Sequence, residues 1–248
     1  MTRITAVAGK GGVGKTTIAS LALQALATRD EGLVLAVDGD PNSNLAEKLG
    51  IDPSGSIAEV RDAMRRDPDS LPGNMSKHEY MALRMQSSLA EDERGIDLMV
   101  MGRPEGEGCY CFVNNVLRDS LDQMLPRYAH VLVDNEAGME HLSRKTLPRA
   151  DLLLLVSDPS ATGIRTALRL LEMTEELGME TGRRLLLINN VRGPLPEGMI
   201  PAVEGLEVHL LPHDPAVEEA NQRGEPLVLD PESPLGAALS SLLGAALG

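Results

Sequence analysis

The sequence predicts an α/β fold, a doubly wound and mostly parallel sheet flanked by helices, from two patterns in the chain. Its apolar segments read as unbroken runs, as strands covered on both faces do, and the stretches between them are long enough for helices. A glycine-rich segment directly after the first run adds a third observation, because it sets strand, loop and helix in register from the start. The first strand is expected at Ile4–Ala8 and the helix behind the loop at Thr16–Thr28. A second strand, Leu33–Val37, ends where Pro41 stops it from continuing, and helices follow at Ile57–Arg65 and Lys77–Glu91. In the latter, Met81 and Met85 lie four apart, and a buried stripe is the plainer reading beside a partner-docking face. Next come a strand at Asp97–Met101, a helix at Val113–Leu125, and strands at His130–Asp134 and Leu152–Ser157. The remainder alternates: helix Gly163–Leu177, strands Arg184–Asn189 and Glu207–Leu211, then helices Pro215–Arg223 and Leu235–Ala246. The 248 residues suffice for one sizeable core, and Pro and Gly are dispersed rather than gathered in a linker, so a single domain over 1–248 is expected.

The loop Gly9-Lys10-Gly11-Gly12-Val13-Gly14-Lys15-Thr16-Thr17 fits the pattern Gly, four residues, Gly-Lys-Ser/Thr. Its glycines let successive backbone N–H groups turn inward around a triphosphate, Lys15 can reach the β and γ oxygens, and the Thr16 hydroxyl can ligate Mg²⁺. Residues Gly11, Gly12, Val13, Gly14, Lys15, Thr16 and Thr17 are therefore the expected phosphate-binding set of a P-loop NTPase, with a nucleoside triphosphate as ligand. The carboxyl ends of parallel strands, where such sheets bind ligands, bring further polar residues to this edge. Asp38-Gly39-Asp40-Pro41-Asn42-Ser43-Asn44 can orient a water or hold Mg²⁺ through water, or be an ordinary loop with local Asx hydrogen bonds. Asp134-Asn135-Glu136-Ala137-Gly138 delivers a carboxylate at the end of an apolar run, with Gly138 placed to offer its N–H to a γ-phosphate. A helix N-cap by Asp134 or Asn135 is the alternative there.

Composition narrows the partners. A net charge of −14, a single Phe and no Trp argue against a nucleic-acid surface, which needs a basic stripe and stacking aromatics. Met1–Ala8 enters a strand without the charged-then-apolar layout of a signal peptide, and no apolar run approaches membrane-spanning length, so a cytoplasmic protein is expected.

Both cysteines of the chain sit together in Gly108-Cys109-Tyr110-Cys111-Phe112. One spacer residue is too short for a relaxed disulfide, and a cytosolic chain has little use for one, which leaves free thiols or metal ligands. Two thiolates make half of a tetrahedral soft-metal site, and a twofold axis would supply the other half. The alternative, a pair of small buried apolar residues, fits poorly beside Glu105-Gly106-Glu107-Gly108, which reads as an exposed loop.

Several of these segments resemble those of known ATPases. Lys10, a second lysine within the loop, resembles the deviant P-loop of the nitrogenase iron protein, MinD and ParA group, and the resemblance implies that it reaches the partner's nucleotide across a dimer. The Asp38–Asn42 segment is similar to switch I of that group, which assigns Asp40 to catalysis with Lys10 and Lys15 and leaves Asp38 a supporting carboxylate. Asn189, and Pro212-His213-Asp214 with the following Asn221–Pro226, resemble the adenine-side asparagine and adenine loop. With the Cys109/Cys111 loop, Asp134 to His141, and Ser157-Asp158-Pro159-Ser160 included, the chain is similar to the CooC-type ATPases that insert nickel into carbon monoxide dehydrogenase. The resemblance implies an ATP-dependent homodimer that holds Ni²⁺ or Zn²⁺ between paired Cys-x-Cys motifs, with Mg²⁺ at Thr16, Asp38 and Asp134. Carbon monoxide dehydrogenase is then the client, with acetyl-CoA synthase as the alternative.

Two rival readings come from the same group. An iron-protein-like reductase would share a cluster between subunits, but its second cysteine belongs just after the Asp134 strand, and Gly138-Met139-Glu140-His141-Leu142 contains none. A MinD- or ParA-like positioning ATPase would want a basic amphipathic tail or a DNA-binding patch, whereas Leu235–Gly248 contains no Lys or Arg. His141 reads equally as a metal-linked switch or a polar loop residue, and His78, His130, His209 and His213 show no ligand spacing.

Overall fold

A computed structural model of the chain describes residues 1–40, 44–66, 75–102, 122–135 and 149–248. The strands are β1 (Arg3–Gly9), β2 (Val34–Asp38), β3 (Ala90–Glu91), β4 (Ile96–Val100), β5 (His130–Asp134), β6 (Arg149–Ser157), β7 (Glu180–Val191) and β8 (Leu206–Pro212). They form one eight-stranded sheet in the order β3-β4-β2-β5-β1-β6-β7-β8, parallel except for the β3–β4 pair. The described helices are α1 (Lys15–Ala27), α2 (Asn44–Leu49), α3 (Ile57–Arg66), α4 (Lys77–Ser87), α5 (Ala161–Glu176), α6 (Pro215–Arg223) and α7 (Pro234–Leu247). The expected fold class is the observed one.

The unbroken apolar runs are explained by two cores, one on each face of the sheet. Along β1, Val7 packs with α1 and α7 residues such as Leu21 and Leu239, while Ala6 and Ala8 pack on the other side with Met81, Met85 and Ile164. Met81 and Met85 are fully buried, so their spacing is a core stripe. From β1 the chain winds to β2 on one side, and from β6 it winds through β7 and β8 on the other. The reversal lies beside β1, the place where open α/β sheets leave a crevice at their carboxyl edge. The last helix, α7, buries Leu235, Leu239 and Leu243 against this core.

Several boundaries differ from expectation. The helix anticipated to Glu91 ends at Ser87; Ser88 closes it, and Ala90–Glu91 pair antiparallel with Asp97–Leu98 across a turn that Gly95 completes with φ 77°. That turn is built by Asp92, which accepts from the Arg94 backbone N–H at 2.8 Å and from Nε at 2.7 Å. Helix α2 was not anticipated, being only Asn44–Leu49. Strand β6 begins earlier, at Arg149, because Asp151 Oδ2 accepts from the Ile4 N–H (2.8 Å) and holds the strand start beside β1. Of the expected helix Val113–Leu125 only its end is described, where 122–124 are helical and Leu125–Arg127 form a 3₁₀ turn. Among the described residues, no helix is long and apolar enough to cross a membrane.

Candidate functional site

Strand β1 delivers the loop to the carboxyl edge, and backbone shape dictates its glycines. A Cβ on Gly9 would lie 2.3 Å from the Val156 carbonyl of the adjacent strand. Gly12 and Gly14 adopt φ of 81° and 93°, the left-handed region that glycine enters without penalty. Gly14 is the N-cap of α1 and offers no side chain to bond the first N–H groups of the helix, which leaves them directed at whatever the loop encloses. Asn189 Nδ2 donates to the Val13 carbonyl (3.0 Å) and clamps the loop from the end of β7. Lys15, 9% exposed, folds back so that Nζ donates to the Lys10 carbonyl at 3.2 Å. Lys10, Gly11 and Gly12 are exposed.

Two carboxylates meet the loop from neighbouring strands. Asp38 and Asp134 are paired directly across the β2–β5 register, each at the last position of its strand. Asp38 is satisfied by the backbone N–H of Asp40 at Oδ1 (3.0 Å) and of Leu45 at Oδ2 (3.0 Å); burial nonetheless pushes its pKa up to about 6. Asp134 is 1% exposed, and among the described residues neither of its oxygens makes a hydrogen bond of good geometry. Burial raises its pKa to about 7, and the Thr16 hydroxyl and Lys15 ammonium beside it offset only part of that cost. A buried carboxylate without a donor is costly. The Thr16 hydroxyl and the two carboxylates are the hard oxygen donors that Mg²⁺ takes, so these residues fit that ion. Asp40 sits half-buried beyond them, its Oδ2 accepting from Asn44 Nδ2 (2.9 Å). Asn135 is locked inward, its Nδ2 donating to the Val7 carbonyl at 2.9 Å.

Beyond Gly12–Gly14 and Thr17, a cleft of about 420 Å³ opens between the ends of β6, β7 and β8, bounded also by Asp158, Asn190 and Pro212-His213-Asp214. An irregularity after Ile188 lets Asn190 turn to φ 60°, and its Oδ1 lies 2.8 Å from His213 Nδ1. Asp214 caps α6 by accepting from Ala216 N (3.0 Å) and Val217 N (3.3 Å), with Pro215 at the first helical position. The loop Pro212–Asp214 is thus fixed at both ends. A phosphate chain along the P-loop would run from this cleft toward Asp38 and Asp134.

The structure gathers Lys10 to Thr17, Asp38, Asp40 and Asp134 at one edge, with Asn189, Pro212, His213 and Asp214 along the adjoining cleft. Cys109, Cys111, Gly138 and His141 lie outside the described residues. Among the described residues there is no group of three or more His, Cys, Asp and Glu side chains arranged to hold a metal. One participant escaped the sequence reading: Lys48 of α2, whose ammonium bonds the Asn221 amide oxygen at the cleft and whose pKa is lowered by burial. A helix of six residues gives too short a period to be recognised, so this lysine carried no signal. Asp158 also enters the cleft, accepting from the Ser160 N–H at 3.1 Å where Ser160 caps α5.

Comparison with known proteins places these features. The model of the CobQ/CobB/MinD/ParA nucleotide binding domain matches residues 4–227. An uncharacterized ATP-binding protein of Methanocaldococcus jannaschii is 37% identical over 235 residues, covering 93% of this chain and 92% of that protein. The carbon monoxide dehydrogenase accessory protein CooC of Rhodospirillum rubrum is 31% identical over 263 residues, covering 98% of each. The MinC:MinD cell division protein complex of Aquifex aeolicus contains a chain of the same fold, with a TM-score of 0.71, 23% identity, and coverage of 99% of this chain and 96% of that one.

Proposed function

Since the chain belongs to the CobQ/CobB/MinD/ParA nucleotide-binding family and is an ATPase of that family, we propose that it is a CooC-like maturation ATPase: a homodimer that couples ATP turnover to nickel delivery. The observation that carries this reading is the match to a carbon monoxide dehydrogenase accessory protein along 98% of both chains, together with a single Cys-x-Cys pair. Carbon monoxide dehydrogenase is the client this reading favours, and residues 1–248 act as one domain. The cargo is Ni²⁺, with Zn²⁺ as the competing ion.

The work falls to this chain's residues as follows. The N–H groups from Gly11 to Thr17 cradle the β- and γ-phosphates, and Lys15, released from the Lys10 carbonyl, moves its charge onto them. Mg²⁺, held by the Thr16 hydroxyl and through water by Asp38 and Asp134, would neutralise charge on the phosphate oxygens. Asp40 orients the attacking water, and Asn44 fixes its carboxylate for that task. Gly138 offers its N–H to the γ-phosphate. Asn189 and Pro212-His213-Asp214 hold the base in the cleft. Lys10 extends from the exposed rim of the loop to the nucleotide of the partner. Each protomer contributes Cys109 and Cys111, and four thiolates at the twofold axis complete a tetrahedral site.

Titration of nickel and zinc into the protein and into the Cys109→Ser, Cys111→Ser variant, with mass measured in parallel, tests this reading. One metal per dimer, lost in the variant while nucleotide binding persists, is expected. One metal per monomer, equal binding by the variant, or an iron–sulfur absorption band after anaerobic purification overturns it.

A further inference from the structure

At the opposite edge of the sheet from the P-loop lies a cleft of about 780 Å³ that the ATPase reading does not use. The starts of the adjacent strands β5, β1 and β6 form one side of it. In the register Arg3 stands beside His130, and Thr5 beside Leu152, so Arg149 begins β6 at this same edge. The 3₁₀ turn supplies Arg127 and, with Leu125 and Pro126, an apolar wall. Arg3, Arg127 and Arg149 all line this one cleft.

Among the described residues, the charge of Arg127 and Arg149 is not balanced by a carboxylate. Two carboxylates stand at the strand starts: Asp151 accepts from the Ile4 N–H (2.8 Å), and Glu31 is engaged by Arg29 (2.6 Å), by the buried His130 Nε2 (2.8 Å) and at 4.0 Å by Arg3. The contacts of Glu31 hold its pKa below the usual carboxylate range, so it stays an anion with its partners chosen. Asp122, the other carboxylate lining the cleft, is exposed. Arg127 and Arg149 make no hydrogen bond or ion pair among the described residues. In a chain of net charge −14, with 37 acidic and 23 basic side chains, a pair of uncommitted arginines in a concave, partly apolar cleft runs against composition. Guanidinium groups left without a carboxylate are fitted to clamp an oxyanion, because each presents parallel N–H donors.

The geometry points to a second ligand site here, taking a small organic anion whose carboxylate or phosphate group is held by Arg127 and Arg149 and whose body lies on Leu125 and Pro126. The site and the P-loop occupy opposite ends of β1, roughly 20 Å apart at about 3.3 Å per residue, so the anion does not compete with nucleotide. This inference stands whether or not the chain delivers nickel.

The test uses protein saturated with Mg²⁺ and a non-hydrolysable ATP analogue, so that every phosphate position of the P-loop is filled. Succinate and inorganic phosphate are each titrated by calorimetry at constant ionic strength. Saturable binding of at least one probe is expected, weakened by tenfold or more in Arg127→Gln, Arg149→Gln, consistent with about 1.5 kcal/mol or more per charge-assisted bond. Binding of succinate alone assigns the site to carboxylates, and binding of phosphate alone to phosphorylated compounds. Since neither arginine has a partner to lose among the described residues, the variant should bind the analogue with unchanged affinity, which certifies its fold. Absence of saturable binding for both probes, or equal binding by the variant, overturns the proposal.

Discussion

Asp38 and Asp134 face each other from the last positions of adjacent parallel strands, both buried, and only one of them is satisfied. Asp38 accepts backbone N–H groups from Asp40 and Leu45, whereas among the described residues Asp134 makes no hydrogen bond of good geometry. Like charges side by side, away from water, each make the other harder to ionise. A divalent cation would reverse that arrangement by giving both carboxylates an opposite charge. The pair is a poised site whose cost falls on the nucleotide-free protein.

That cost has a definite pH dependence. Burial raises Asp134 from 3.8 to about 7 and Asp38 to about 6, so the folded state retains protons that the unfolded chain has released. The resulting stability is full below about pH 4 and is lost as pH rises through about 6 to 7. Without Mg²⁺ and nucleotide, stability should therefore fall between pH 5 and pH 8, other groups aside, by about 4 kcal/mol at most, and the thermal midpoint with it. Asp134→Asn should flatten this profile, raise stability at pH 8, and abolish the extra stabilisation that Mg²⁺ adds to nucleotide. A variant whose melting curve tracks the parent at every pH removes this account of Asp134.

Lys15 and Asp40 should separate binding from chemistry. Lys15→Ala removes the ammonium that reaches the phosphates, so triphosphate affinity should fall by about tenfold or more. Asp40→Ala leaves the phosphate cradle intact and removes the water-orienting carboxylate, so affinity should persist while kcat falls by about a hundredfold. Parallel calorimetry and phosphate-release assays decide this. Near-parental turnover by Asp40→Ala would show that another group orients the water.

What the sequence made legible follows from how each signal is encoded. The parallel sheet was readable because strands buried on both faces must be apolar throughout, as Leu152–Val156 is. The phosphate loop was readable because positive φ at Gly12 and Gly14 restricts the residue type at fixed spacing. Helix α2 and strand β3 were not readable, since Asn44–Leu49 and Ala90–Glu91 are too short to show a period and exist through tertiary partners: Leu45 in the core, and Asp97–Leu98 across the Asp92–Gly95 turn. The unsatisfied state of Asp134 was beyond reach for a different reason. A carboxylate at a strand end is visible in sequence, but whether its oxygens find donors depends on residues from β2 and α1 that only folding brings near.

Gly14 allows a direct test of the loop geometry. An alanine there must adopt φ near 93° and place its Cβ 2.4 Å from Asn189 Nδ2. Gly14→Ala should therefore lose nucleotide binding and destabilise the fold, the backbone strain alone costing about 1 kcal/mol or more. Adding Asn189→Ala removes the clash and should restore part of the stability but not the strained φ. No recovery in the double variant would mean that the Asn189 clamp on the Val13 carbonyl matters more than the collision it causes.

Lys10 carries the dimer mechanism into a kinetic experiment. Its backbone carbonyl accepts from Lys15 Nζ, while its side chain stands on the exposed rim of the loop. If it completes the partner's site, the rate per subunit should rise with protein concentration and level off once dimers predominate, because monomers then lack one charge at the transferring phosphoryl group. Lys10→Ala should lower the plateau by about a hundredfold or more and weaken ATP-dependent dimerisation, yet leave monomer affinity for nucleotide nearly unchanged. Mixing supplies the decisive arm. Lys10→Ala and Asp40→Ala subunits are each defective alone, but a mixed dimer contains one site with an intact Asp40 and a Lys10 donated by the other chain. Mixing them should recover a measurable fraction of parental turnover. A rate per subunit independent of concentration, or no recovery on mixing under conditions where mixed dimers are detected by mass, would place Lys10 in its own subunit's chemistry instead.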